Sequence, residues 1–172
     1  MQKLLYPIKE EDFREKVQIR FKSINEGFDK FKNAMLQSND IDSAEDDIIQ
    51  FMKAAFKLNG EEDSYVDFYF PVLSEEEKEN LINLLSEEDR VFIKSFMKNN
   101  QGENIYFRLT EESIPFITRL STREVLFCTI YFTKLPFTIW GNYNKKFPCF
   151  FDDDQVVKEY KDIADSCNLG II

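Results

Sequence analysis

Residues 11–38 read EDFREKVQIRFKSINEGFDKFKNAMLQS, and the choice of fold turns on them. Phe13, Val17, Phe21, Ile24, Phe28, Phe31 and Met35 follow one another at intervals of 4, 4, 3, 4, 3 and 4 residues. That spacing returns to the same side of an α-helix at every step, so it predicts one amphipathic helix over 11–38. Lys, Glu, Gln and Asn dominate the other positions, as a solvated face requires. A helix of this length would extend ~40 Å, about twice the usual span, with Gly27 as its weak point. The stripe packs along its own domain or seals a homodimer. With about four heptads, and Phe a poor knob for a two-stranded coil, packing within the domain is favoured over a homodimer through 11–38.

A second helix is expected to start near Ser43. Asp40, Asp42, Glu45, Asp46 and Asp47 crowd its N-terminal end and Lys53 and Lys57 lie toward its other end, the polarity that the helix dipole favours. Ile48, Ile49, Met52, Ala55 and Phe56 form its inner face, and Asn59-Gly60 stops it. The short connection then predicts an antiparallel helical hairpin over residues 1–60.

Beyond residue 60 the pattern changes. In SYVDFYFPV (64–72), Val66, Phe68 and Phe70 alternate with Tyr65, Asp67 and Tyr69, which reads as a strand ended or placed at an edge by Pro71. Ser74/Glu77 and Ser121/Glu124 are capping boxes by residue type. Helices are expected over about 75–85 and 87–99, or one bent helix over both, then a strand over 105–109 and a short helix over 111–120. VLFCTIYFT (125–133) reads as a buried strand unless a helix capped at Ser121 takes its first half. FTIWG (137–141) and FPCFF (147–151) form a hairpin, and Asp152, Asp153 and Asp154 open a last helix that Asn168-Leu169-Gly170 closes. The class is therefore α+β: a long N-terminal helical hairpin (1–60), then a small, mainly antiparallel sheet with interspersed helices (61–172), in one domain spanning 1–172.

Composition narrows the chemistry. The 172 residues include no His, which removes Ser-His-Asp and Cys-His nucleophiles, HExxH proteases and Cys/His zinc fingers. There are 22 Lys and Arg against 32 Asp and Glu, a net charge of −10, which disfavours nucleic acid and anionic membrane surfaces and would speed encounter with a basic protein. No phosphate-binding loop, dinucleotide fingerprint or hydrolase signature is present. Cys128, Cys149 and Cys167 form neither a disulfide framework nor a zinc signature, and with no visible signal segment the expectation is a soluble cytoplasmic protein without cofactors or metals.

Two surfaces are candidates for recognition. Trp140, the only tryptophan, lies in the aromatic hairpin 137–151, whose tip carries Asn142, Tyr143, Asn144, Lys145 and Lys146. Rings, amides and cations in one loop are the parts of a recognition patch. Glu75, Glu76, Glu87, Glu88 and Asp89 form the other candidate, an acidic face for a basic partner. The expected function is a non-enzymatic acidic protein-binding module, with immunity and antitoxin proteins as examples of that class. The alternative is a carboxylate- and Tyr-based enzyme or a ligand-binding protein with a pocket beneath the aromatic hairpin. A deep pocket lined by Trp140 or Tyr143 and two converging carboxylates would favour the alternative; a flat acidic face would not.

Overall fold

The computed structural model describes residues 3–172. Strand β1 (Leu5–Pro7) is followed by helix α1 (Glu10–Lys16), an extended run, helix α2 (Ile24–Lys30) and strand β2 (Lys32–Ser38), where the apolar spacing predicts a single helix. The breaks fall at Val17 and Ser23. Val17 leaves the helix with φ −93° and ψ 112°. Val17 and Ile19 are then buried together at alternate positions, as an extended chain requires. At Ser23 the side chain accepts a hydrogen bond from the Glu26 amide, while the Glu26 carboxylate accepts one from the Lys22 amide at 2.8 Å. The Ser23 cap starts a new helix. β2 then pairs with two strands at once, a gain in backbone hydrogen bonding that a lone helix stripe cannot match.

The remaining elements are α3 (Ala44–Asn59), β3 (Ser64–Asp67), α4 (Glu75–Leu84), α5 (Glu87–Asn99), β4 (Tyr106–Leu109), α6 (Ile114–Thr122), β5 (Thr129–Phe132), β6 (Phe137–Trp140), β7 (Phe147–Phe151), α7 (Asp154–Ser166) and β8 (Leu169–Ile171). The long N-terminal helical hairpin is therefore not formed: α3 packs on α6 and α7. All eight strands belong to one antiparallel sheet, in the order β1-β4-β3-β5-β6-β7-β2-β8. The architecture is α+β, and among the described residues no helix is long and apolar enough to cross a membrane.

Strand alternation sends Val66, Ile130, Phe132, Phe137, Ile139, Phe147, Cys149 and Phe151 to one face, where they meet α3, α6 and α7 in the main core. On α5, Ile93 and Phe96 join that core beside Phe68 and Phe107, and Phe92 stacks on Phe116 of α6 at 4.0 Å. The opposite face carries Tyr65, Asp67, Tyr106, Tyr131, Thr138, Trp140 and Phe150, and the broken N-terminal segment covers it. Phe13 stacks on Tyr106 at 3.9 Å, Phe21 stacks on Trp140 at 5.4 Å, and the Thr138 hydroxyl donates to the Ile19 carbonyl at 2.7 Å.

Where the sequence allows two arrangements, hydrogen bonding decides. Residues 75–99 form two helices, and the Arg90 guanidinium donates to the Ile82 and Asn83 carbonyls at the end of α4. Ser121 starts no helix. It lies inside α6, its hydroxyl accepts from the Cys128 amide, and Glu124 turns the chain with φ 57°, so β5 begins only at Thr129. Asn168, at φ 60°, reverses the chain into β8 where a simple helix stop is expected.

One buried network joins three parts of the chain. Asn59 donates to Tyr160 at 2.8 Å and accepts from the Leu135 amide, while Tyr160 donates to the Leu135 carbonyl at 2.7 Å. The Tyr160→Phe substitution leaves that carbonyl and the Asn59 amide short of a partner inside the protein. The expected cost is about 1–3 kcal/mol, read as a lower denaturation midpoint with an unchanged m-value.

Candidate ligand-binding cleft

The N-terminal cover does not close the second face completely. Between the Phe13–Tyr106 stack and the Phe21–Trp140 stack lies a cleft of about 560 Å³. Its floor is formed by Asp67 of β3 with Thr129 and Tyr131 of β5. These positions meet because β3 and β5 pair with Val66 opposite Ile130, and Thr129 lies opposite Trp140 on β6. Glu10, Arg14, Arg20, Lys22, Glu26 and Lys30, all from the N-terminal cover, surround the mouth.

Asp67 is 7% exposed, and its carboxylate accepts hydrogen bonds from the Thr129 amide at 2.6 Å and from the Tyr131 hydroxyl at 3.2 Å. Burial raises its pKa to about 6, although those bonds favour the charged form. At neutral pH it is a mostly ionised acceptor in an aromatic setting. Burial, followed by the nearby Asp67 charge, pushes the Tyr131 phenol well up. Burial and the charge of Asp67 also raise Tyr69, to about 12. Burial raises Tyr106 too, within the fields of Glu10, Asp67, Arg14 and Arg20. These phenols are therefore protonated donors at neutral pH.

The charge balance at the cleft is unlike that of the chain. Four cationic residues line it with three carboxylates, against 22 and 32 in the whole sequence. Arg14 pairs with Glu10 at 2.6 Å, and Lys30 pairs with Glu26. Among the described residues, Arg20 and Lys22 form no ion pair; the Arg20 Nε reaches only the Arg14 carbonyl, at 3.4 Å. Two cations are thus free to receive an anion.

Two glycines shape the walls. A Cβ on Gly27 would lie 2.8 Å from the Cζ end of the Phe21 ring, so glycine leaves room for that ring to approach α2 while it stacks on Trp140. A Cβ on Gly141 would lie 2.5 Å from the Ser121 hydroxyl and 2.7 Å from the Cys128 carbonyl, so the residue after Trp140 has no room for a side chain.

Of the hairpin residues predicted for recognition, the cleft contains Trp140 alone. Asn142, Tyr143, Asn144, Lys145 and Lys146 form the separate tip, where Tyr143 is 59% exposed against Phe127 and the Asn144 amide donates to Glu124. On the acidic face, Glu75, Glu76, Glu87 and Glu88 are exposed in the first turns of α4 and α5. Asp89 does not belong to that surface. It is 2% exposed, and both of its oxygens accept from the Arg119 guanidinium, at 3.0 and 3.1 Å from Nε. Among the described residues no group of His, Cys, Asp and Glu could hold a metal ion. Sequence reasoning did not single out Asp67, Tyr106, Tyr131, Arg14, Arg20 or Lys22. The available signal was Asp67 itself, a lone carboxylate between tyrosines in a strand with apolar flanks.

No protein-family model, curated protein or solved structure matches the chain.

Burial of Asp67 also fixes a pH dependence. The group titrates near 3.8 when exposed and near 6 in the fold, so between these values the folded chain binds the extra proton. Its contribution to stability is complete below the lower value and is lost as pH rises through the upper one. The Asp67→Asn variant keeps an acceptor for Thr129 and carries no charge. It is expected to be more stable than the parent at neutral pH by on the order of 1–3 kcal/mol, with the gap closing at about pH 4, measured by urea unfolding at both.

Proposed function

We propose that the protein is a ligand-binding protein that holds a small, flat, anionic molecule in the cleft between residues 10–30 and the sheet. The carrying observation is the convergence at one opening of a buried carboxylate, aromatic walls and two unpaired cations. A volume of about 560 Å³ suits a metabolite-sized ligand, and rings with a few directed polar groups are the usual lining of such sites. The rings supply stacking, Arg20 and Lys22 charge, and Asp67 an oriented acceptor. Recognition without turnover is the simplest use of these groups. The cleft is tested by a thermal-shift screen of anionic metabolites, including mononucleotides, aromatic carboxylates and sugar phosphates. A true ligand at a hundred times its Kd stabilises by about 2.7 kcal/mol, worth roughly 5–10 °C in Tm. It also changes the emission of Trp140, the only tryptophan. A screen in which no compound moves both signals contradicts the reading.

A second reading, an immunity- or antitoxin-like module for a basic protein, is favoured by the α4–α5 surface. There Leu84 and Val91 are each 70% exposed beside four exposed glutamates, of which Glu75 pairs with Lys78 and Glu88 with Arg119, and an apolar centre with a charged rim is how protein interfaces are built. A stoichiometric basic partner that binds the parent at physiological salt, but not a Leu84→Arg, Val91→Arg variant, would establish it; equal binding by both would dismiss this surface.

A further inference from the structure

We infer that the ligand of the cleft is a flat heterocycle that donates two adjacent N–H groups to Asp67 and carries an anionic tail received by Arg20 and Lys22, as a guanine nucleotide or a pterin carboxylate does. The inference rests on the cleft being a ligand site, and it names the ligand class. The floor presents no free donor at Asp67, only acceptor lone pairs. Oδ1 accepts from the Thr129 amide and Oδ2 from the Tyr131 hydroxyl, and the Thr129 side chain also hydrogen-bonds the carboxylate. These bonds hold the group in a fixed orientation, and with about four lone-pair sites the carboxylate retains capacity for further donors. A carboxylate fixed in this way is complementary to paired N–H groups on one edge of a ring.

The surroundings select among molecules with such an edge. Trp140 is half-buried and braced on one side by Phe21, and Tyr106 is braced by Phe13, so both rings are set before a ligand arrives. Preset aromatic walls favour a planar ring over a flexible chain, because stacking then costs little ordering entropy. An alkylammonium would satisfy Asp67 but would leave the unpaired Arg20 and Lys22 unexplained. A sugar phosphate would use those cations but would leave the rings and the buried acceptor without partners. A neutral ring with an N–H pair and a negative tail uses all three features.

The test is calorimetry on the full chain with GMP, IMP, AMP, guanosine and pterin-6-carboxylate. GMP, pterin-6-carboxylate or both bind at one site per chain. For a nucleotide, IMP, which lacks the 2-amino donor, binds about tenfold or more weakly, and AMP weaker still. The Asp67→Asn variant, which offers one acceptor and one donor, loses at least about tenfold for the ligand that binds and narrows the gap between GMP and AMP. An Arg20→Ala, Lys22→Ala variant lowers GMP affinity to that of guanosine and leaves guanosine unchanged. If GMP wins, the source is a nucleotide; if pterin-6-carboxylate wins, a pterin. If neither binds while another anionic aromatic does, the donor-pair assignment is overturned and the cleft reading stands. If no anionic compound binds, both fail. Equal affinity for GMP and IMP, with no loss in the Asp67→Asn variant, also overturns the assignment.

Discussion

The structure depends on how the second face of the sheet is covered. An antiparallel sheet can leave one face to water, but here that face carries Tyr65, Tyr131, Trp140 and Phe150, too many rings to expose. Residues 10–30 cover it by stacking at two places, Phe13 on Tyr106 and Phe21 on Trp140. Those anchors determine the rest. They forbid a continuous N-terminal helix, they bury Asp67, and the space between them is the cleft. The same contacts therefore set both the fold of the N-terminal segment and the character of the site.

Much of the sheet and most helices were legible in the sequence. Alternation in FTIWG, the Asn59-Gly60 stop and the serines before α4 and α5 each point to the element that forms, while the strand expected over 64–72 ends at Asp67 and Phe70–Val72 form a 3-10 turn. The misread stretch was 11–38, where intervals of 3 and 4 served two short helices and a strand as well as they would serve one long helix. Periodicity reports that apolar side chains recur; it does not say whether they recur around one axis. What broke the pattern were long-range partners, β7 and β8 for β2 and the sheet rings for Phe13 and Phe21. Ser121 failed as a cap for the same reason: its hydroxyl is used by the Cys128 amide seven residues on.

The site was less legible because its parts come from five separate stretches of chain. Trp140 was visible as a lone tryptophan, but the expectation that it works with the hairpin tip does not match its position on the second face, apart from Asn142, Tyr143, Asn144, Lys145 and Lys146. Asp67 was legible only as the polar side of a strand, a place that normally faces water. Its meaning changed once the N-terminal segment lay over it. An ionised carboxylate buried at a cost to stability, within an acidic chain that gathers cations at the same opening, is the trade that functional sites make.

The account can be tested at that carboxylate. A ¹³C NMR titration of the Asp67 side chain reports directly whether the N-terminal segment covers it. Burial beneath that cover predicts a midpoint near 6. A midpoint near the ordinary 3.8 would mean that Asp67 faces water, and would contradict both the cover and the cleft built on it.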